Sequence, residues 1–249
     1  MHTDTTNTSL LSAPPARRHG APYRAGFSHA LLRGVVRAFP NATRARMVDA
    51  GFALTQDITL LAKQGHTAVH EVLPSRTTAE PWVQYPARMI EDSAAGTAFY
   101  YHDHGFSKRR PDERGHFHVF LRDGADRYSH LTAIAIDFRG LPVRVFSTNR
   151  WVTDEAWMPA KPLLALAARF TLVAAPGSVV LNRWITHCVR LFGPQLQWLI
   201  SRRDERIAAL ESPRRCARAI LEDRRVEVLS ECRLSLPQQI QALQSSRDI

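Results

Sequence analysis

Apolar residues in the first part of the chain recur every three to four positions, which is the period of an α-helix. This pattern predicts one helix over 28–39 and a second that begins after Asn41, a suitable N-cap, and ends before Gly65. A third helix is expected over 81–92, because Pro81 suits a first helical turn. Residues 1–23 are rich in Ser, Thr, Pro and Arg and are predicted to form a disordered tail.

The pattern then changes to strict alternation, which is the period of a β-strand. Four segments show this alternation: 97–104, 116–122, 130–138 and 141–148. The links between these segments are short, and Arg139-Gly140 is typical of a tight turn between the last two. Four successive strands with short links favour an antiparallel meander.

Helical periodicity returns in the C-terminal third. Helices are predicted over 160–174, 178–203 and 213–222, followed by a strand over 226–234 and a short helix from Pro237. The sequence therefore predicts an α+β fold with a single domain over 24–249. In this fold an antiparallel sheet of about four to five strands is packed on one face by helices from both ends of the chain.

The chain is strongly basic, with 33 Lys and Arg against 23 Asp and Glu, a net charge of +10 and a pI near 10.3. Such a charge invites a nucleic-acid or other anionic partner. Basic and acidic residues are mixed along most of the chain, however. Only 161–200 is one-sided, with Lys161, Arg169, Arg183 and Arg190 and no acid. The absence of a concentrated basic stripe argues against a dedicated nucleic-acid role, which is kept as an alternative.

The cysteines and the apolar segments indicate a cytoplasmic protein. Cys188, Cys216 and Cys232 are widely spaced and odd in number, as expected for free thiols in a reduced compartment. The N-terminus lacks the apolar core of a secretory signal, and no run of 18 uncharged apolar residues predicts a transmembrane helix.

Strand parity places the histidines of the second predicted strand on one face. Its apolar residues Phe117, Val119 and Leu121 are expected to face the helices, so that His116 and His118 lie on the opposite side. The same argument places the second histidine pair, His-x-His at 102–104, on that side of the preceding strand.

If these strands pair with His104 near His116, four imidazoles converge, since opposite Cβ atoms lie about 4.5–5.5 Å apart. Each neutral imidazole offers one nitrogen lone pair. The set His102, His104, His116 and His118 is therefore predicted to hold a divalent metal such as Zn²⁺. Alternatively, the four rings form a structural cluster without a metal.

Arginines and one tyrosine are expected around these histidines. Alternation directs Arg122, Arg144 and Tyr100 to the same face, and Arg150 follows the last strand. Guanidinium groups bind phosphate and carboxylate, so these four residues are predicted to bind a small anionic substrate.

The leading functional hypothesis is a metal-dependent enzyme in which metal-activated water is the nucleophile. Glu113 or Asp103 is the candidate base. The alternative is a non-catalytic protein that binds an anionic ligand or a protein partner through the same surface.

Two known motifs are matched only in part. The Gly-x5-His-x-His at 96–104 resembles the opening of the cupin metal motif, but the glutamate of that motif is missing. Residues 116–122 resemble the histidine-triad nucleotide hydrolases with His118 in the nucleophile position, but Phe120 stands where the third histidine belongs. Neither activity follows from these matches.

The segments YYHDH, GHFHVFLR and HLTAIAIDFRGLPVRVFSTNRWVTDE resemble an uncharacterised bacterial family described only as a domain of unknown function. The resemblance spans roughly residues 40–235. It implies a bacterial cytosolic origin, and it brings no activity, substrate or catalytic residue with it.

Overall fold

A computed structural model of the chain describes residues 21–74, 78–105, 110–122, 124 and 127–246. Within these ranges the chain forms eight helices: α1 (His29–Arg37), α2 (Asn41–Lys63), α3 (Arg150–Thr153), α4 (Ala160–Ala167), α5 (Val179–Leu191), α6 (Gly193–Leu210), α7 (Ala217–Leu221) and α8 (Leu236–Gln244). It also forms seven strands: β1 (Tyr23–Gly26), β2 (Tyr85–Asp92), β3 (Thr97–His102), β4 (Gly115–Leu121), β5 (Ser129–Ile136), β6 (Pro142–Thr148) and β7 (Val228–Arg233).

The strands form one mixed sheet in the order β1-β7-β6-β5-β4-β3-β2. All neighbours are antiparallel except β1 and β7, which are parallel. The α+β class is confirmed, but the predicted sheet of four to five strands is too small. The two further strands at its edges are β1 and β2. Most of the predicted tail, residues 1–20, lies outside the described residues, while Tyr23 begins β1.

The third helix predicted over 81–92 is wrong, because most of this segment forms β2. Ile90 pairs with Phe99 and Asp92 with Thr97 of β3, so neighbouring backbone satisfies the hydrogen bonds that a helix would have made internally. Pro86 lies within β2, and an edge strand tolerates the missing N–H. Pairing with β3 therefore overrides the local pattern.

The helix predicted over 178–203 is two helices, α5 and α6. Pro194 lies in the first turn of α6, where its missing N–H costs nothing and where it stops α5 from continuing. The predicted strand over 226–234 and the helix from Pro237 are present as β7 and α8. No helix in the described part of the chain has the length and apolarity needed to span a bilayer.

The main hydrophobic core lies between the sheet and the helices. As predicted, Phe117 and Val119 of β4 are fully buried on this side. The Phe117 ring lies 5.5 Å from the ring of Trp184 on α5. Leu54 of α2 and Leu199 of α6 extend the same core. Burying a large apolar side chain stabilises the fold by about 1.5–3 kcal/mol, so this layer fixes which face of β4 points away from the helices.

Gly115, the first residue of β4, is required by its neighbour on β3. A Cβ atom on Gly115 would lie 2.2 Å from the hydroxyl oxygen of Tyr101, which is fully buried and has little room to move. Gly34 in α1 is a contrasting position, because a Cβ atom there would meet no atom within 4 Å.

Gly115→Ala is expected to destabilise the protein by about 1–3 kcal/mol, since the added methyl group overpacks a buried contact. Gly34→Ala is the matched control and should stabilise the protein by up to about 1 kcal/mol, because alanine favours the helix. Urea unfolding of both variants measures these changes. Equal stability of the Gly115 variant and the wild type would contradict this account of the β3–β4 contact.

Candidate metal centre

The histidine pairs of β3 and β4 lie on the side of the sheet that faces away from the helices. In the observed register His102 pairs with His116 and Tyr100 pairs with His118. The predicted pairing of His104 with His116 is wrong by two residues. Because side chains alternate with a period of two, a shift of two residues keeps every side chain on its predicted face.

Three of the rings converge on one point. Ligand nitrogens of His102, His104 and His116 all lie within 4.8 Å of one another. The Nε2 atoms of His102 and His104 are 2.9 Å apart. Zn–N bonds of 2.0–2.1 Å in a tetrahedral site imply N···N separations of about 3.3 Å. To share a metal ion, the three rings would have to bring separations of up to 4.8 Å closer to this value.

The remaining predicted ligand, His118, links this group to the interior. Its Nε2 atom lies 3.1 Å from Nε2 of His116, and its Nδ1 atom lies 3.0 Å from Nε2 of His130. This series of side-chain contacts ends at Thr148, whose Oγ1 atom is 3.1 Å from Nδ1 of His130. A neutral imidazole has one donor and one acceptor nitrogen, so such a chain orients each ring through the next.

Sequence alternation missed His130 because of a β-bulge. Val119 pairs with Thr132 and Phe120 pairs with His130, which leaves Leu131 as an extra residue in β5. The extra residue turns His130 to the histidine side and Leu131 toward the helical core. Strict alternation would have placed His130 with Thr132 on the helical side. A bulge leaves no sequence signature of its own here.

This side of the sheet was expected to lie opposite the helices, and the structure shows that it is also covered. His116, His118 and His130 are at most 5% exposed. The rings of Tyr100 and Phe146 pack against His118 and His116, at centroid distances of 4.9 and 5.0 Å. The histidines are thus part of a second, aromatic layer.

Burial sets the protonation of these rings, because a low-dielectric surrounding disfavours the charged form. It lowers the pKa of His102 to about 4, with a smaller contribution from His104. It lowers the pKa of His130 to about 3 and the pKa values of His116 and His118 well below the usual 6.5. At neutral pH the rings are uncharged, which is the form that binds a metal.

A cleft of about 540 Å³ opens beside the three converging rings. We call it the histidine cleft; among the residues that line it are His104, His116, Trp82, Phe146 and Glu227. The Trp82 indole is 58% exposed and stacks on the His104 ring at 4.3 Å. Its backbone has a φ of 68°, a conformation rare for a large side chain.

An ionic network forms another wall of the cleft. Arg144 donates to both carboxylate oxygens of Glu113, at 2.5 and 2.7 Å, and to Glu231 at 3.1 Å. Glu231 also pairs with Arg110 and Arg24, at 3.0 and 2.7 Å. The predicted base Glu113 and the predicted anion anchor Arg144 are therefore each other's partners.

The other predicted anchors lie elsewhere. Arg150, on α3, pairs with Glu222 and with Asp154. Arg122 follows β4, where its guanidinium lies 4.9 Å from the centroid of the Tyr128 ring. Neither residue lines the histidine cleft. Alternation gives no information on position along a strand, and Arg150 lies on a helix rather than on a strand.

Two predicted residues flank the histidines without facing the cleft. The Tyr100 ring stacks against His118, and burial raises its pKa. Asp103 is buried, and its carboxylate accepts a hydrogen bond from the backbone N–H of Gly105. Its carbonyl oxygen accepts from the Trp82 N–H at 2.8 Å, which helps to fix the indole over His104.

Glu227 is a carboxylate of the cleft that the sequence did not indicate. It lines the cleft together with His104 and is exposed. Among the described residues no hydrogen bond or ion pair reaches its side chain. Burial lowers the pKa of His104, and Glu227 is the largest charge that opposes this effect. The sequence placed Glu227 near the start of a predicted strand, and nothing in that position indicated a function.

Comparison with known proteins gives a family without an assigned activity. The sequence profile of the family described as "Domain of unknown function (DUF6969)" matches residues 48–234. Neither the curated proteins nor the solved structures include a significant match. The matched range contains all five clustered histidines and Glu227, whereas β1 and α1 lie outside it.

Acid is expected to destabilise the metal-free protein. The buried rings bind fewer protons than the same rings in the unfolded chain, so the free energy of unfolding falls as the pH drops below 6.5, by up to about 1.4 kcal/mol per pH unit for each ring. Glu155 changes the stability in the opposite direction. Burial raises its pKa to about 8, so the stability that its protonated form contributes is lost as the pH rises from 4.5 to about 8.

The effect of several buried rings is larger than that of one carboxyl group. The free energy of unfolding should therefore rise with pH between pH 5 and 6.5. His130→Asn should make that slope shallower, and Glu155→Gln should make it steeper. Urea unfolding at a series of pH values, with a chelator present, measures this slope for the wild type and for both variants. Unfolding free energies that rise on acidification would show that the rings are not held neutral.

The chain described here belongs to the DUF6969 family of proteins of unknown function.

Proposed function

We propose that this protein is a metal-dependent enzyme that holds a divalent transition metal in the histidine cleft and acts on a small anionic substrate. The observation that carries the proposal is the convergence of His102, His104 and His116, whose ligand nitrogens lie within 4.8 Å of one another. Neutral imidazoles favour Zn²⁺ and similar metals over Mg²⁺ or Ca²⁺, which prefer oxygen ligands.

The position of the rings supports a catalytic rather than a structural site. Structural zinc sites are closed by four protein ligands, whereas catalytic sites have three and leave a position for water or substrate. His104 and His116 line an open cleft, so a metal held there would face solvent. His118 would then orient His116 through their 3.1 Å contact, or serve as a further ligand.

Glu227 is the carboxylate best placed to accept a proton from metal-bound water. Both oxygens of Glu113 are occupied by Arg144, and Asp103 is bound to backbone. Glu227 lines the same cleft as the ligands and has no partner among the described residues. A base needs such a free lone pair to take up a proton. The bound metal would supply the lowered pKa of the water.

A bound metal would give the cleft the positive charge that favours an anion. The guanidinium groups of its described lining, of Arg24, Arg110, Arg144 and Arg225, are already paired with Glu231, Glu113 and Asp223. A divalent metal would add two positive charges that no carboxylate of these pairs neutralises. The substrate would approach past the exposed Trp82, which supplies an apolar surface beside the metal.

Protein purified without added metal, then exposed to Zn²⁺ and dialysed, should retain about one equivalent of zinc. His102→Ala and His116→Ala should each lower retention to less than about a tenth of this value, because a two-histidine site binds weakly. His66→Ala is the matched control, since this half-exposed ring lies in a separate stack with His70. Elemental analysis measures the metal content.

The proposal of a metal-dependent enzyme would be wrong if the wild type retained less than about half an equivalent of zinc. It would also be wrong if the His116 variant retained as much zinc as the wild type. The histidine chain would then be a structural element. The alternative function, a protein that binds an anionic ligand in the same cleft without catalysis, would remain.

Glu227→Gln should retain zinc and lose hydrolysis of 4-nitrophenyl phosphate, used as an anionic probe. Water adds to phosphorus, the bond to the phenolate oxygen breaks, and Glu227 accepts the proton of the water. General-base catalysis contributes about 10²–10⁴-fold, so a loss in this range is expected in the rate of 4-nitrophenol release. Unchanged rates in this variant would exclude Glu227 from the mechanism.

A further inference from the structure

We propose that a second cleft, lined by Arg122 and Arg169, binds the phosphate group of a small phosphomonoester. This cleft has a volume of about 560 Å³. We call it the arginine cleft. The proposal is independent of the metal centre. It gives a role to Arg122, which the sequence indicated as an anion ligand and which the histidine cleft does not use.

The arginine cleft lies at the opposite end of β4 from the histidine cleft. Its lining includes Leu121 and Arg122, whereas His116 near the start of β4 lines the other cleft. Leu121 follows His116 by five positions along β4, a distance of about 17 Å at 3.3–3.4 Å per residue. A ligand in one cleft is therefore a separate ligand from one in the other.

Among its described residues, the arginine cleft has positive charges without balancing negative ones. Its lining, as far as the structure describes it, has two guanidinium groups and no carboxylate. In the histidine cleft, by contrast, Arg144, Arg110 and Arg24 are all paired with glutamates. Neither Arg122 nor Arg169 makes an ion pair with a described residue. Two unpaired guanidinium groups in one concavity are the usual recognition chemistry for phosphate.

The nearby acids are directed elsewhere. Asp92 precedes the turn that lines the cleft, and its oxygens accept from the backbone N–H groups of Ala95 at 3.0 Å and Ala174 at 2.9 Å. Glu91 accepts from the hydroxyl group of Tyr128 at 3.1 Å. Both carboxylates are thus used by other donors, and neither forms an ion pair with Arg122.

Arg122 is held in position without losing its donors. Its backbone N–H donates to the Gly96 carbonyl at 2.9 Å, and its guanidinium lies over the Tyr128 ring at 4.9 Å. A cation–π contact leaves the N–H groups available, since none of them is used as a donor.

Gly96 allows this arrangement. Its φ is +66°, and a Cβ atom there would lie 2.9 Å from the Arg122 carbonyl oxygen and 3.3 Å from Arg122 Cγ. The glycine therefore lets the turn and the arginine stem approach closely. The described lining also contains the hydroxyl groups of Ser93 and Thr171, whereas the buried Thr97 hydroxyl already donates to the Thr171 carbonyl oxygen at 2.5 Å. Hydroxyl groups are common additional donors to phosphate oxygens.

The test is calorimetric titration of the full chain, freed of metal with a chelator, with inorganic phosphate and with glycerol 3-phosphate at constant ionic strength. Both should bind, and the double variant Arg122→Gln/Arg169→Gln should weaken binding by at least about tenfold, because charge-assisted hydrogen bonds to two guanidinium groups are lost. Arg33→Gln is the matched control. Arg33 is exposed on α1, away from both clefts, and its removal should leave the affinity unchanged.

Three results would overturn the proposal. One is the absence of phosphate binding by the wild type. Another is an equal weakening of phosphate binding by Arg33→Gln, which would show that binding depends only on the net charge of the protein. The third is loss of phosphate binding in His116→Ala with the arginine variant unaffected, which would place the anion in the histidine cleft.

A single-stranded oligonucleotide separates the two sources of a phosphate group. The small cleft predicts that glycerol 3-phosphate binds at least as tightly per phosphate as the oligonucleotide. If the oligonucleotide binds more tightly and its binding depends on Arg122, the ligand of this cleft is a nucleic acid and not a small phosphomonoester. Unfolding midpoints of the variants, expected to equal that of the wild type, show that the substitutions act on binding.

Discussion

The burial of β4 on both of its faces is the constraint on which the rest of this structure depends. Phe117 and Val119 anchor one face in the helical core, and parity then forces His116 and His118 into the layer on the other side. A buried polar ring is costly unless it finds a hydrogen-bonding partner. His116 and His118 are partners of each other, and His130 of β5 is the next partner, whereas the rings of Tyr100 and His102 on β3 pack against them.

A chain of neutral imidazoles restricts the tautomer of each of its members. Each ring has one donor and one lone pair, and the contact between the Nε2 atoms of His102 and His104 requires one ring to donate and the other to accept. A metal ion removes this restriction, because every lone pair can point to it. The depressed pKa values of the rings act in the same direction, since no proton has to be displaced at neutral pH.

Most of what the sequence revealed about this region came from parity, and what it missed came from pairing between strands. Alternation placed the four histidines on one side although the predicted register was wrong, because parity survives a shift of two residues. His130 was missed because a single inserted residue, Leu131, reverses parity beyond the bulge. The strand β2 was predicted as a helix because its local pattern carries no information about β3. The same limitation hid the pairing of Arg144 with Glu113.

The net charge of +10 does not by itself indicate a partner, because its meaning depends on how the charges are paired. Arg24, Arg110 and Arg144 are paired with Glu231 and Glu113, and these ion pairs link β1, β6 and β7 beside the histidine cleft. Paired charges of this kind contribute mainly to geometry. A charge without a partner has unused hydrogen-bonding capacity. Among the residues that the structure describes, the Glu227 carboxylate and the two guanidinium groups of the arginine cleft have no ionic partner. The unpaired groups at the two ends of β4 are therefore better guides to function than the total charge, since only they can gain by binding something else.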